Sequence, residues 1–104
     1  MSFWGTFFGS GKEKIRRAIT KGAIIIDVRS PYEFDQGHVP QSINIPLDRI
    51  TLSLDRIRSF TKPIIFCCSN GSRSAQAVAL LQQAGFENTL NAGNWESLWR
   101  TLRR

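Results

Sequence analysis

Residues 67 to 74 read Cys-Cys-Ser-Asn-Gly-Ser-Arg-Ser, and no other stretch of the chain is so well equipped for covalent chemistry. The run follows the apolar Pro63-Ile64-Ile65-Phe66, which reads as a buried strand. It precedes Ala75-Gln76-Ala77-Val78-Ala79-Leu80-Leu81, which reads as a helix. The spacing therefore predicts a thiol at the carboxyl end of a strand, in a short polar loop that feeds a helix amino terminus. Free backbone N–H groups at a helix start point at an anion, and the helix dipole adds roughly half a positive charge. A cysteine held there has a depressed pKa, so more of it is nucleophilic thiolate at neutral pH. Gly71 permits backbone angles that a side chain forbids. Asn70 and Ser72 are small and polar and leave the mouth of the loop open. Two roles are open to Arg73: binding an oxyanion directly, or locking the loop by pairing with a carboxylate. Ser72 or Ser74 can cap the helix that follows.

The surrounding elements must hold this loop. Ser10-Gly11-Lys12-Glu13 has capping-box spacing, Ile15, Ala18 and Ile19 share one helical face, and Gly22 is a natural stop. Ala23-Ile24-Ile25-Ile26 is a short apolar run suited to a central parallel strand covered on both faces, with Asp27-Val28-Arg29 leaving its end. Ser30-Pro31-Tyr32-Glu33 is a second capping box with proline at the first helical position. Ser42 to Ile45 reads as a strand, and Leu47, Ile50 and Leu54 share a helical face with a break near Thr51. A helix over about 73–84 ends at Gly85, and Phe86 to Asn91 offers the last strand. Trp95, Leu98, Trp99 and Leu102 repeat at helical spacing and close the chain. Strands alternating with helices imply an α/β fold with a mostly parallel sheet.

The 104 residues fit one domain, and 41% hydrophobic with 21% charged residues is the composition of a globular protein. Two adjacent cysteines cannot build a disulfide framework, so both thiols are expected to be reduced. No stretch approaches the ~18 apolar residues of a membrane-spanning helix. Met1 to Gly9 has no basic stretch ahead of its apolar one and no small-residue cleavage site, so the expected location is the cytoplasm. A net charge of +6 favours anionic substrates or acidic partners. The basic residues are scattered and no nucleic-acid motif appears.

The chain resembles a single-domain rhodanese, a sulfurtransferase. The resemblance rests on Asp27-Val28-Arg29, Glu33-Phe34, Gly37-His38-Val39-Pro40, Asn44-Ile45-Pro46, Cys68-Ser69-Asn70-Gly71-Ser72-Arg73-Ser74 and Gly85-Phe86, in the family's order and spacing. It covers residues 12–104 and leaves 1–11 as an aromatic N-terminal segment. It implies a five-stranded, mainly parallel sheet flanked by helices on both faces. It also implies a six-residue active-site loop in which Cys68 is the sulfur carrier and Ser69, Asn70, Gly71, Ser72 and Arg73 bind substrate. The implied reaction moves a sulfane sulfur from thiosulfate or a persulfide donor to a thiol or cyanide, through a Cys68 persulfide and without cofactor. A protein can serve as donor or acceptor. Three departures stand out. Cys67 replaces an aromatic or aliphatic strand residue. Gln41-Ser42 stands where Gly-Ala is common, a change expected to be harmless. Gly93-Asn94 replaces a frequent Gly-Gly at the rim of the pocket.

Adjacent thiols give the motif two registers. From Cys67 the run is Cys-x5-Arg, the loop of cysteine phosphatases and some arsenate reductases, in which the arginine clamps an oxyanion. From Cys68 it is the shorter Cys-x4-Arg, which places Gly71 three positions after the nucleophile. Phe66 precedes Cys67 where a phosphatase would offer histidine. A third reading is a catalytically silent binding module of the same fold. Strand alternation sends neighbouring side chains to opposite faces, so Cys67 is expected to be a buried structural thiol.

Asp27 and Ser74 are expected to support the loop, Asp27 through Arg73 or, structurally, through Arg29. Glu33 is accounted for by its capping box and His38 by a structural hydrogen bond. One histidine and two adjacent cysteines do not make a metal site. Phe3, Trp4, Phe7 and Phe8 precede a basic helix and are expected to pack on the domain, a membrane-surface contact being the less favoured alternative.

Overall fold

The computed structural model describes residues 11–103. The sheet begins from the isoleucine run: β1 (Ile24–Asp27) pairs in parallel with β2 (Ile43–Asn44) on one side and β3 (Ile64–Cys68) on the other. β4 (Thr89–Asn94) pairs in parallel with β3. Among the described residues the sheet is four-stranded and all parallel, in the order β2-β1-β3-β4. That is one strand fewer than the resemblance implies.

The helices are α1 (Gly11–Thr20), α2 (Pro31–Gln36), α3 (Leu54–Arg58), α4 (Ser72–Gln83) and α5 (Trp95–Leu102). Two 3-10 turns, Leu47–Arg49 and Thr51–Ser53, lead into α3, so the break expected near Thr51 lies between them. The proposed capping box at Ser10 lies outside the described residues. The second one is complete: the Ser30 hydroxyl accepts from Glu33 N–H, and the Glu33 carboxylate accepts from Ser30 N–H.

Side-chain alternation along β3 splits the core into two layers. Ile64, Phe66 and Cys68 face Ile57 of α3 and Ala77 and Leu81 of α4. Ile65 and Cys67 face Ile15 and Ala18 of α1 and Leu98 of α5. Helices therefore cover both faces, and the two cysteines enter different layers.

Two local departures have physical causes. The last strand starts at Thr89, not Phe86, because Phe86 turns into the core beside α4. It continues to Asn94 because Ala92 is an extra residue between the partners Phe66↔Asn91 and Cys67↔Gly93, a bulge with Gly93 at φ +76°. The bulge brings Asn94 level with Cys68. The second departure is the turn Val39-Pro40-Gln41-Ser42, closed by Ser42 N–H to the Val39 carbonyl at 3.0 Å. Gln41 sits in it at φ +70°. Proline followed by a positive φ is the pattern of a type II turn, whose third residue is normally glycine. The Gln41 replacement, expected to be harmless, is strained. No helix of the described residues is long and apolar enough to cross a membrane.

Candidate active site

Cys68 ends β3, and only residues 69–71 separate it from α4. The chain reverses there because Gly71 adopts φ +89°, and a Cβ on it would meet the Gly93 backbone at 3.5 Å. This conformation turns the Gly71 N–H onto Cys68 Sγ at 3.0 Å. Ser74 N–H donates to the same sulfur at 3.4 Å, and Ser74 Oγ lies 3.1 Å from it. Burial works to raise the Cys68 pKa. The Ser74 hydroxyl and the backbone N–H groups of Ser74, Gly71 and Asn70 more than offset it, so the thiol is held below its ordinary value. Cys68 has no exposed surface.

Cys67 is equally buried but differs in its surroundings. Burial first, and the nearby Asp27 charge second, push its thiol far up. It lies in the α1 and α5 layer, away from the loop. Both cysteines are free thiols.

The loop is held from two sides. Arg73 reaches Glu33 of α2 through a fork, Nη1 to Oε1 at 2.7 Å and Nη2 to Oε2 at 2.9 Å. Nη2 also donates to Ser69 Oγ at 2.9 Å. Of the two roles open to Arg73, this geometry is the lock. The fork, with help from Ser30 N–H, drops the Glu33 carboxyl to about 2. On the other side Asn94 Nδ2 donates to the Ser69 carbonyl at 2.6 Å, while its Oδ1 caps α5 by accepting from Ser97 N–H at 2.8 Å. Within the loop, Asn70 Oδ1 accepts from Ser72 N–H at 3.0 Å. Ser72 and Ser74 do not cap α4 with their side chains, and Gly71 occupies the cap position. Ser74 is instead fully buried on the α4 stripe it shares with Ala77 and Leu81.

Asp27 does not hydrogen-bond the loop or Arg73. Both of its oxygens take the Arg29 guanidinium, at 2.7 to 3.0 Å. Arg29 in turn donates to the Glu33 and Gly37 carbonyls at 3.3 and 2.7 Å and covers the Trp95 ring at 4.8 Å. Asp27 thus braces α2, and α2 presents Glu33 to Arg73. His38 donates from Nδ1 to the Phe34 carbonyl at 2.7 Å and stacks on the Phe34 ring, away from the thiol chemistry.

Three residues in this assembly carry more than their sequence context suggests. Glu33 serves the capping box and Arg73 at once, and the box alone accounts for its presence in the sequence. Asn94 departs from the glycine expected there, and that departure is its signal. Asn91 is an asparagine in the middle of a strand, where that residue type is depleted, which is the only mark it leaves.

A family model described as "Rhodanese-like domain" matches residues 12–99. A thiosulfate sulfurtransferase of Pseudomonas syringae is 32% identical over 81 residues, 78% of this chain and 76% of its own length. A sulfurtransferase of Allochromatium vinosum is 36% identical over 76 residues, 73% of this chain and 70% of its own. The crystal structure of a rhodanese-related protein from Thermoplasma volcanium superposes with a TM-score of 0.68 at 30% identity, covering 83% of both chains.

Proposed function

This chain belongs to the rhodanese family, and we propose that it is a sulfurtransferase whose transferred sulfur rides on Cys68. The observation that carries the assignment is the convergence of Gly71 N–H, Ser74 N–H and the Ser74 hydroxyl on Cys68 Sγ. Cys67 lies in the other core layer with its thiol pushed up. The donor is an anion bearing a sulfane sulfur, thiosulfate being the simplest, or a persulfide. The Cys68 thiolate attacks that sulfur, the donor S–S bond breaks, and sulfite leaves with the electron pair in the thiosulfate case. An acceptor thiolate or cyanide then attacks the outer sulfur and releases the Cys68 thiolate. The N–H groups of the loop are fixed donors that stabilise negative sulfur at either stage without reorganising. The reaction needs a reduced Cys68, which suits the cytoplasmic location expected from the sequence.

The phosphatase register loses support from the geometry. Arg73 is turned to Glu33 and is not free to clamp an oxyanion. The silent-module reading has one observation in its favour, the absence of exposed surface on Cys68. Intact masses of the wild type, Cys67→Ala and Cys68→Ala after thiosulfate or a small persulfide, before and after reductant, separate these readings. One added sulfur atom, lost on reduction and missing only in Cys68→Ala, is the expected result. An adduct missing only in Cys67→Ala would reverse the register, and no adduct with either donor would leave the binding module.

A further inference from the structure

Asn91 lies on the edge strand β4, outside the loop, and sulfur transfer as described above makes no use of it. The orientation of its amide is set by its neighbours. Gly93 N–H, which can only donate, lies 2.8 Å from Oδ1, and Nδ2 faces the Gly71 carbonyl at 3.3 Å. Ser74 Oγ lies 2.6 Å from the same Oδ1. Oδ1 only accepts, so the Ser74 hydroxyl donates to it. Ser74 has a single proton, which this bond uses; its other two neighbours are Cys68 Sγ at 3.1 Å and the Gly71 carbonyl at 3.2 Å. With its proton turned to Asn91, Ser74 offers Cys68 a lone pair and accepts the thiol S–H. To donate to a thiolate it must turn away from Asn91.

We infer that Asn91 is a positioning residue that holds the Ser74 hydroxyl proton away from Cys68, favouring the thiol in the resting enzyme and releasing the proton when Sγ becomes charged. The inference rests on Cys68 as the sulfur carrier. It gives the site a thiol that is less acidic than the loop N–H groups together with an unrestrained Ser74 hydroxyl would make it, and a less acidic thiol is the stronger nucleophile once ionised. The charged groups near the site are paired across elements, Arg73 of α4 with Glu33 of α2, and Asp27 of β1 with Arg29. The neighbouring titratable groups are the Cys67 thiol and, in the groove that Asn91 lines with α1, Lys12. A substitution at Asn91 leaves all of these in place.

The test is the pH dependence of Cys68 alkylation by iodoacetamide, with the modified cysteine located by fragmentation mass spectrometry. Asn91→Ala frees the Ser74 hydroxyl for the thiolate. The alkylation midpoint should fall by roughly half to one pH unit, a three- to tenfold larger thiolate fraction below the midpoint, the size of one hydrogen bond. If Asn91 only braced the loop, its loss would disturb the N–H donors to Sγ and the midpoint would rise. A rise, or no change, overturns the inference. Ser74→Ala should raise the midpoint, and adding Asn91→Ala to it should then move nothing. The same downward shift in the absence of Ser74 would also overturn it. Asn91→Val, a better strand former without an acceptor, repeats the test should the alanine variant unfold. Alkylation needs no sulfur donor, so a shifted midpoint in a protein that transfers no sulfur would keep the hydrogen-bond chain and remove the sulfurtransferase reading.

Discussion

Replacing Glu33 by glutamine isolates the lock on the active-site loop from the helix cap that shares its carboxylate. Glutamine fits the third position of a capping box, so its oxygen still accepts from Ser30 N–H and α2 keeps its start. What is lost is the charge and one of the two acceptors facing Arg73. A buried charge-assisted pair of hydrogen bonds would be worth up to ~3 kcal/mol. The Arg73 and Glu33 side chains are 33% and 35% exposed, so solvent screens the pair, and about 1 kcal/mol is the expected loss of stability. If the whole of that loss appears as misplacement of the loop, kcat/KM falls about fivefold. The pH dependence is the sharper signature. Glu33 is depressed from 4.5 to about 2 by Arg73, so its stabilisation is complete above the unfolded value of 4.5. It is lost as pH falls through about 2. Urea unfolding of the wild type and Glu33→Gln across this range should therefore show a gap that is constant above pH 5 and closes between 4.5 and about 2. Equal stability and equal turnover at pH 7 would refute the lock. A gap that persists unchanged into acid would show that the difference does not arise from the carboxylate charge.

Arg73→Lys keeps the charge but cannot span both Glu33 oxygens and Ser69 Oγ, so its kcat/KM should fall at least as far as that of Glu33→Gln; near-normal turnover would remove Arg73 from the site. Asn94→Asp keeps an oxygen to cap α5 but loses the donor to the Ser69 carbonyl, so thermal stability should hold while sulfur transfer drops; a fall in stability with unchanged activity would reverse the assignment. Gln41→Gly relieves a left-handed side chain worth ~1–2 kcal/mol. The added freedom of the unfolded chain opposes it by ~0.5–1 kcal/mol. The net gain of roughly 0.5–1 kcal/mol should raise Tm by about 2–5 °C, and a lower Tm would show that the turn is not strained.

Much of the layout is legible because it follows from local rules. The isoleucine run of β1, the apolar stretch before Cys68 and the proline-led capping box each specify one element through spacing and residue type. What escapes the sequence is contact between elements that lie far apart in it. Glu33 and Arg73 are forty residues apart, and a glutamate already accounted for by its cap gives no hint of a second partner. Asp27 illustrates the converse. Its place at a strand end suggests direct service to the loop, yet Arg29 lies two residues on, within reach of both oxygens, and takes them. The sequence pattern places the start of the last strand three residues early because Phe86 suits a strand and a core equally well, and only the packing against α4 decides between them.

The two cysteines show how little local sequence determines chemistry once the backbone has chosen a face. They are adjacent, both fully buried and both free. Strand alternation turns Cys67 into an apolar layer beside the Asp27 charge, and the same alternation turns Cys68 toward the start of α4. One thiol is pushed up and the other held down, although the two differ by a single step along β3. The extra residue in β4 adds a condition that no motif records. By shifting the register from Ala92 onward it leaves Asn91 beside Ser74 and sets Asn94 against Ser69, so both asparagines reach the loop from an edge strand. Without the bulge, the strand that supports the loop from behind would present its side chains one position out of step. If Cys68 carries the sulfur as proposed, it is the pairing of a short Cys-x4-Arg loop with a bulged neighbouring strand, and not the loop alone, that builds its surroundings.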